Sequence, residues 1–135
     1  MSKKYPGGIV TAGAPAGYSV AFNGSTDYLS STSNTSTTFG TSAYTIEMWV
    51  YQNARNASGA YLVGGVGTQM IQCNITSTGT VNANLSGGGS YATTTSTVSL
   101  STWTHIAFVR TSTAASGFQI YINGETESAK DKKNN

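Results

Sequence analysis

Between Tyr18 and about Ala129, apolar and polar positions alternate in short runs broken by Gly, Ser, Thr and Asn, and no segment sustains a 3.6-residue period. The runs are Tyr18–Phe22, Tyr28–Ser30, Tyr44–Tyr51, Tyr61–Val63, Met70–Thr76, Thr80–Leu85, Thr97–Leu100, Trp103–Arg110, Phe118–Ile122 and Glu125–Ser128. Many short strands with turn residues between them predict an all-β sandwich. Because successive side chains on a strand point to opposite faces, parity assigns the faces. In Tyr44–Tyr51, Ile46, Met48 and Val50 share one face, and Thr45, Glu47, Trp49 and Tyr51 the other. In Phe118–Asn123, the face of Phe118, Ile120 and Ile122 opposes that of Gln119, Tyr121 and Asn123. Trp103–Arg110 is apolar on both faces, with Trp103, His105, Ala107 and Val109 against Ile106 and Phe108, which predicts a central strand covered on both sides.

Turn chemistry sharpens this outline. Asn123-Gly124 tolerates positive φ at both positions and predicts a two-residue hairpin. Gly87-Gly88-Gly89 cannot hold a strand and reads as a turn or loop. Ser30–Thr38 is almost wholly Ser, Thr and Asn, and is either a surface loop or a polar edge strand. Residues 1–17, rich in Gly, Pro and Ala, read as an extended arm with one apolar pair, Ile9 and Val10. Residues 18–129 form the sandwich, and residues 130–135 a polar tail.

Composition narrows the possible functions. The chain has 135 residues, enough for one domain with its own core, and only 9% are charged against 21 Thr and 18 Ser. The 10% aromatic content and the Val/Ile/Tyr runs argue against disorder. Five of the seven basic residues sit at the ends (Lys3, Lys4, Lys130, Lys132, Lys133), so the body keeps only Arg55 and Arg110. Two cations cannot neutralise a run of phosphates, which excludes nucleic acid as a partner. No run approaches the ~18 apolar residues of a membrane span. Pro6-Gly7-Gly8 and Gly13-Ala14-Pro15 interrupt the apolar stretch a signal peptide needs. The lone Cys73 cannot form an intrachain disulfide, and its alternation with Ile71 and Ile75 predicts a buried small hydrophobe. Five Asn-x-Ser/Thr sequons (Asn23, Asn34, Asn56, Asn74, Asn84) are little more than this composition yields by chance.

Candidate chemistry is sparse. The acidic residues are Asp27, Glu47, Glu125, Glu127 and Asp131. Glycoside hydrolysis needs two carboxylates at a fixed separation, and no strand carries a close acidic cluster. Glu125 and Glu127 share a face beyond an exposed hairpin, where solvated charge is the ordinary reading. His105 has core-like neighbours and no evident Cys or Asp partner, so it reads as structural. Gly64-Gly65-Val66-Gly67 lacks the Lys-Ser/Thr of a phosphate loop and reads as a turn. Glu47, Trp49, Tyr51, His105, Gln119 and Tyr121 would line one sheet face with rings and polar tips if their strands are neighbours. Such a surface suits sugars. The alternative is that Trp49 and Tyr121 simply cover the sheet.

Four segments in order resemble the laminin-G-like, concanavalin A-like jelly-roll family: Tyr18–Leu29 (YSVAFNGSTDYL), Tyr44–Val50 (YTIEMWV), Trp103–Val109 (WTHIAFV) and Phe118–Gly124 (FQIYING). The resemblance implies two antiparallel sheets packed face to face. Its members usually carry further strands after the hairpin, returning beside the first strand, whereas this chain ends about ten residues after Gly124, a C-terminally shortened version. The arm around Ile9 and Val10, or another chain, is expected to complete the sheet by strand addition. Some relatives bind calcium through acidic loop residues. Asp27 matches one such position, but no second carboxylate stands in the early loops and Asn123 replaces a common Asp, so no cofactor is expected. An adhesion-type fold without disulfide or export signal leads to a non-enzymatic bacteriophage virion protein, a capsid decoration or tail-fibre component, by fold-level analogy. Its expected partners are other virion proteins or further copies of itself. The alternative is an extracellular glycan-binding module, and a glycan hydrolase stands third.

Overall fold

The computed structural model describes residues 18–30, 42–64, 71–85, 92–112 and 117–127. They fall in two compact units, Met1–Ser33 and Asn34–Asn135.

The second unit is built of strands alone among its described residues: β1 (Tyr44–Tyr51), β2 (Ala60–Val63), β3 (Ile71–Ile75), β4 (Thr80–Leu85), β5 (Ala92–Thr97), β6 (Trp103–Arg110), β7 (Phe118–Ile122) and β8 (Glu125–Glu127). They make two antiparallel four-stranded sheets, a front sheet ordered β1-β6-β7-β8 and a back sheet ordered β2-β3-β4-β5. This is the all-β jelly-roll sandwich read from the sequence. The chain lays down β1 in the front sheet, crosses to build the back sheet as a meander, then returns to pair β6 with β1 over their full length, from Tyr44 opposite Arg110 to Tyr51 opposite Trp103.

Parity places the core as expected. Ile106, Phe108, Ile120 and Ile122 of the front sheet meet Ile71, Cys73, Ile75, Val81, Ala83 and Ala92 of the back sheet. Ile46, Met48 and Val50 pack against this cluster from β1. Each fully buried Val, Ile or Phe side chain contributes about 1.5–3 kcal/mol relative to exposure. Phe108, Ile106 and Ile120 have no exposed surface and anchor the front layer. Burial pushes the Cys73 thiol up to about 12, so it behaves as the small hydrophobe expected.

The turns follow local chemistry. Asn123 (φ 53°) and Gly124 (φ 84°) form the expected two-residue hairpin between β7 and β8. Between β3 and β4, Thr76 N–H donates to Thr80 O (2.8 Å) and Gly79 N–H to Thr76 O (3.0 Å). Gly79 has φ 95°, and a Cβ there would overlap the Arg55 guanidinium. That guanidinium donates to Gln52 Oε1 and to the Val98 carbonyl, so one arginine clasps three loops.

Three expectations are corrected. The strand before β6 spans Ala92–Thr97, not Thr97–Leu100. Its Thr-rich sequence hides the inward face, made by Ala92 and the buried Thr94, whose hydroxyl accepts from Val81 N–H (2.9 Å) and donates to Ser96 O (2.7 Å). Val98 lies beyond the strand yet is buried, held by Val98 N–H donating to Gly79 O (2.8 Å). Second, β6 is central in its sheet but covered on one face only: outward Trp103, His105 and Val109 are half-buried, and only Ala107 is buried there.

The third correction lies in the first unit, where Tyr18–Phe22 and Tyr28–Ser30 are not strands, and Val20 alone makes a bridge. An alternating run becomes a strand only where a neighbouring backbone completes its ladder. Between these runs the Asn23 side chain organises a local turn instead. Its Oδ1 accepts from the N–H groups of Ser25 (2.9 Å), Thr26 (2.9 Å) and Asp27 (3.2 Å). The arm residues Ile9 and Val10, the triple glycine and most of Ser30–Thr38 lie outside the described residues.

Candidate functional face

Pairing of β1, β6 and β7 brings all six residues singled out from the sequence onto the outer face of the front sheet. Register sets Glu47 opposite Ala107 and Ala107 opposite Tyr121, Trp49 opposite His105, Tyr51 opposite Trp103, and Val109 opposite Gln119. The face is therefore a lattice of rings and polar tips with the small Ala107 between Glu47 and Tyr121.

Direct contacts join its members. His105 Nε2 stands 3.4 Å from Glu47 Oε2, and the His105 ring lies 5.2 Å from that of Trp49 at 50°. Tyr51 and Trp103 are 5.5 Å apart at 55°. Tyr121 donates its hydroxyl hydrogen to Gln119 Oε1 at 2.9 Å. Trp49 remains 64% exposed, a large ring open to solvent with the His105 ring tilted against it from the neighbouring strand. His105 is thus neither a core histidine nor isolated: its partner is Glu47, from the neighbouring strand.

Asn123 extends this arrangement past the end of the β6–β7 ladder. Its Oδ1 accepts from His105 N–H (3.0 Å) and its N–H donates to His105 O (2.9 Å), fixing the backbone that carries the imidazole. Sequence reasoning missed Trp103 and Asn123 as members of the face. Trp103 shares parity with His105, which was signal enough. Asn123 was absorbed by its role in the turn. Trp103 Nε1 is buried without a hydrogen-bond partner, an orphan donor beside Tyr51.

The other candidates are elsewhere. Asp27 Oδ2 accepts from Asn23 N–H at 3.0 Å, within its own turn. Among the described residues, no group of three His, Cys, Asp or Glu is placed to hold a metal ion, and no helix is long and apolar enough to cross a membrane. Glu127 is engaged rather than simply solvated: it accepts from Ser96 N–H and Thr95 Oγ1 of β5. At the inner end of β1, burial pushes the Tyr44 hydroxyl above its usual value, against the opposing pull of Arg110. Arg110 itself is buried and lies 5.9 Å from the Tyr44 ring centroid.

The profile of the concanavalin A-like lectin/glucanases superfamily, in its laminin-G form, matches residues 23–135. The chain belongs to this superfamily. No curated protein and no solved structure matches it. Membership supports a carbohydrate-binding or structural β-sandwich in general, in a superfamily described by both lectins and glucanases. In this laminin-G-like domain, Glu47 is the one carboxylate on the outer front face among the described residues, and its neighbour is an imidazole, not a second carboxylate.

Proposed function

We propose that this laminin-G-like domain is a non-enzymatic carbohydrate-binding module that takes glycans on the outer face of β1, β6 and β7. The observation that carries the reading is the exposed Trp49 ring in contact with His105, with the Glu47 carboxylate beside them. Pyranose rings offer a flat C–H face to an aromatic ring, and their hydroxyls hydrogen-bond at its rim. Among the described residues the face carries one carboxylate, whereas glycoside hydrolysis ordinarily uses two. Glycan-array binding by the wild type that falls at least about tenfold in Trp49→Ala is the expected result. An unchanged binding profile in that variant would remove the face from consideration. Release of reducing sugar that disappears in Glu47→Gln would overturn the non-enzymatic reading.

A second reading, a surface component of a bacteriophage virion, is favoured by composition: 9% charge and a single, buried cysteine suit assembly under reducing conditions and service outside a cell. In that reading Ile9 and Val10 add as a strand to a sheet of this chain or of a neighbouring subunit. Deleting residues 1–12 should then lower the native mass measured by sedimentation. An unchanged association state would count against it.

A further inference from the structure

Building on the glycan reading of the β1-β6-β7 face, we infer that its ligand is an uncharged glycan, an extended chain of neutral hexoses or N-acetylhexosamines, and that glycans bearing carboxylates are turned away. The charges on the face decide this. Among its described residues the ionisable groups in contact are Glu47, whose side chain is 65% exposed, and His105 at 3.4 Å. An anionic sugar is ordinarily gripped by a guanidinium fork, and neither arginine of the body is offered to the face. Arg55 is committed to Gln52 and Val98 in the loops. Arg110 is buried on the opposite side of β6 from His105, with its Nε donating to Ser112 O at 3.3 Å. A sugar carboxylate arriving at Trp49 therefore meets a negative neighbour and no compensating fork. A sugar hydroxyl meets an acceptor with lone pairs beyond the one facing His105, and gains a charge-assisted hydrogen bond.

The ring layout favours an extended chain. Trp49 and Tyr51 stand on the same face of β1 two residues apart, about 7 Å along the strand at ~3.4 Å per residue. Each has a ring of β6 beside it, His105 at 5.2 Å and Trp103 at 5.5 Å. Successive sugar rings running along β1 can stack on the two exposed rings while their rims reach Glu47 and His105.

Calorimetric titration of the full-length chain with cellohexaose, chitohexaose and hexagalacturonate tests this. The wild type should bind at least one neutral hexamer and bind hexagalacturonate at least about tenfold more weakly. Glu47→Gln should strengthen hexagalacturonate binding roughly 3- to 10-fold, the range expected from removing one like charge at about 6 Å in a watery surface. Equal or tighter binding of hexagalacturonate by the wild type, or no gain in Glu47→Gln, overturns the charge rule while leaving the glycan face standing. Absence of binding to all three hexamers and to a glycan array takes the charge rule and the glycan reading down together. Circular dichroism of each variant confirms that the solvent-facing substitutions leave the fold in place.

Discussion

Glu127, on the edge strand β8 of the front sheet, accepts a hydrogen bond at 3.1 Å from the N–H of Ser96 on β5, the edge strand of the back sheet. The Thr95 hydroxyl adds a second at 3.2 Å. One carboxylate thus laces an edge of the front sheet to an edge of the back sheet.

Slight burial raises the Glu127 pKa, but the hydrogen bonds from Ser96 and Thr95 outweigh it and hold the carboxyl below the usual glutamate range. A depressed folded-state value stabilises the fold above about pH 4.3, where an unfolded glutamate is ionised, and the contribution is lost as pH falls through the folded value. Glu127→Gln should lower stability slightly at pH 7, by about 0.5 kcal/mol or less for so open a site. The gap between variant and wild type should narrow as pH falls below about 4. Urea midpoints at pH 7 and pH 3.5 measure both; a gap that widens on acidification would show that the charge plays no such part.

Phe108 and Trp103 leave opposite faces of β6 and should respond differently. Phe108 has no exposed surface, so Phe108→Ala should cost about 3–5 kcal/mol, enough to unfold a marginal domain. Trp103→Phe removes an orphan buried donor along with part of a ring, two effects of opposite sign, and should stay within about 1 kcal/mol of wild type. Thermal melts that rank the two the other way round would invert the assignment of inner and outer faces.

Gly79 and Arg55 form a coupled pair. Gly79→Ala places a methyl against the guanidinium at a positive φ, and should destabilise by about 1–3 kcal/mol. Arg55→Ala removes the obstruction but not the backbone strain. The double variant should therefore lose less than the sum of the single losses, with a coupling of at least about 0.5 kcal/mol. Strict additivity in denaturant unfolding would mean the two residues do not touch.

Cys73, buried and with its thiol pushed up to about 12, should be inert to maleimide in the native protein at pH 8 and react only as the chain unfolds. Labelling followed by mass spectrometry, with and without denaturant, checks this. Rapid native labelling would contradict the packing of β3.

Much of the sandwich was legible because its apolar residues obey strand parity. Ile46, Met48 and Val50 on β1, and Phe118, Ile120 and Ile122 on β7, each announce one inward face, and Asn123-Gly124 announces the hairpin between β7 and β8. The strand β5 was not legible, since Thr94 fills an inward position by hydrogen bonding rather than by being apolar. The six residues of the face were found from parity on separate strands, but the Glu47–His105 contact depends on register between distant segments, which no local pattern carries. The link from Glu127 to β5 is of the same kind. It depends on how two sheet edges meet.

The crossing of the chain between sheets also constrains when the outer face can exist. β1 finds its partner β6 only after the entire β2–β5 meander has been traversed, so Trp49 and His105 come together by closing a long loop, not by local pairing. Such topologies fold on the slower, millisecond-to-second side of the range for small domains. A half-formed chain has the rings but not the platform. A ligand that engages both strands would bind only the closed chain and act as a kinetic clamp, slowing unfolding in proportion to its occupancy.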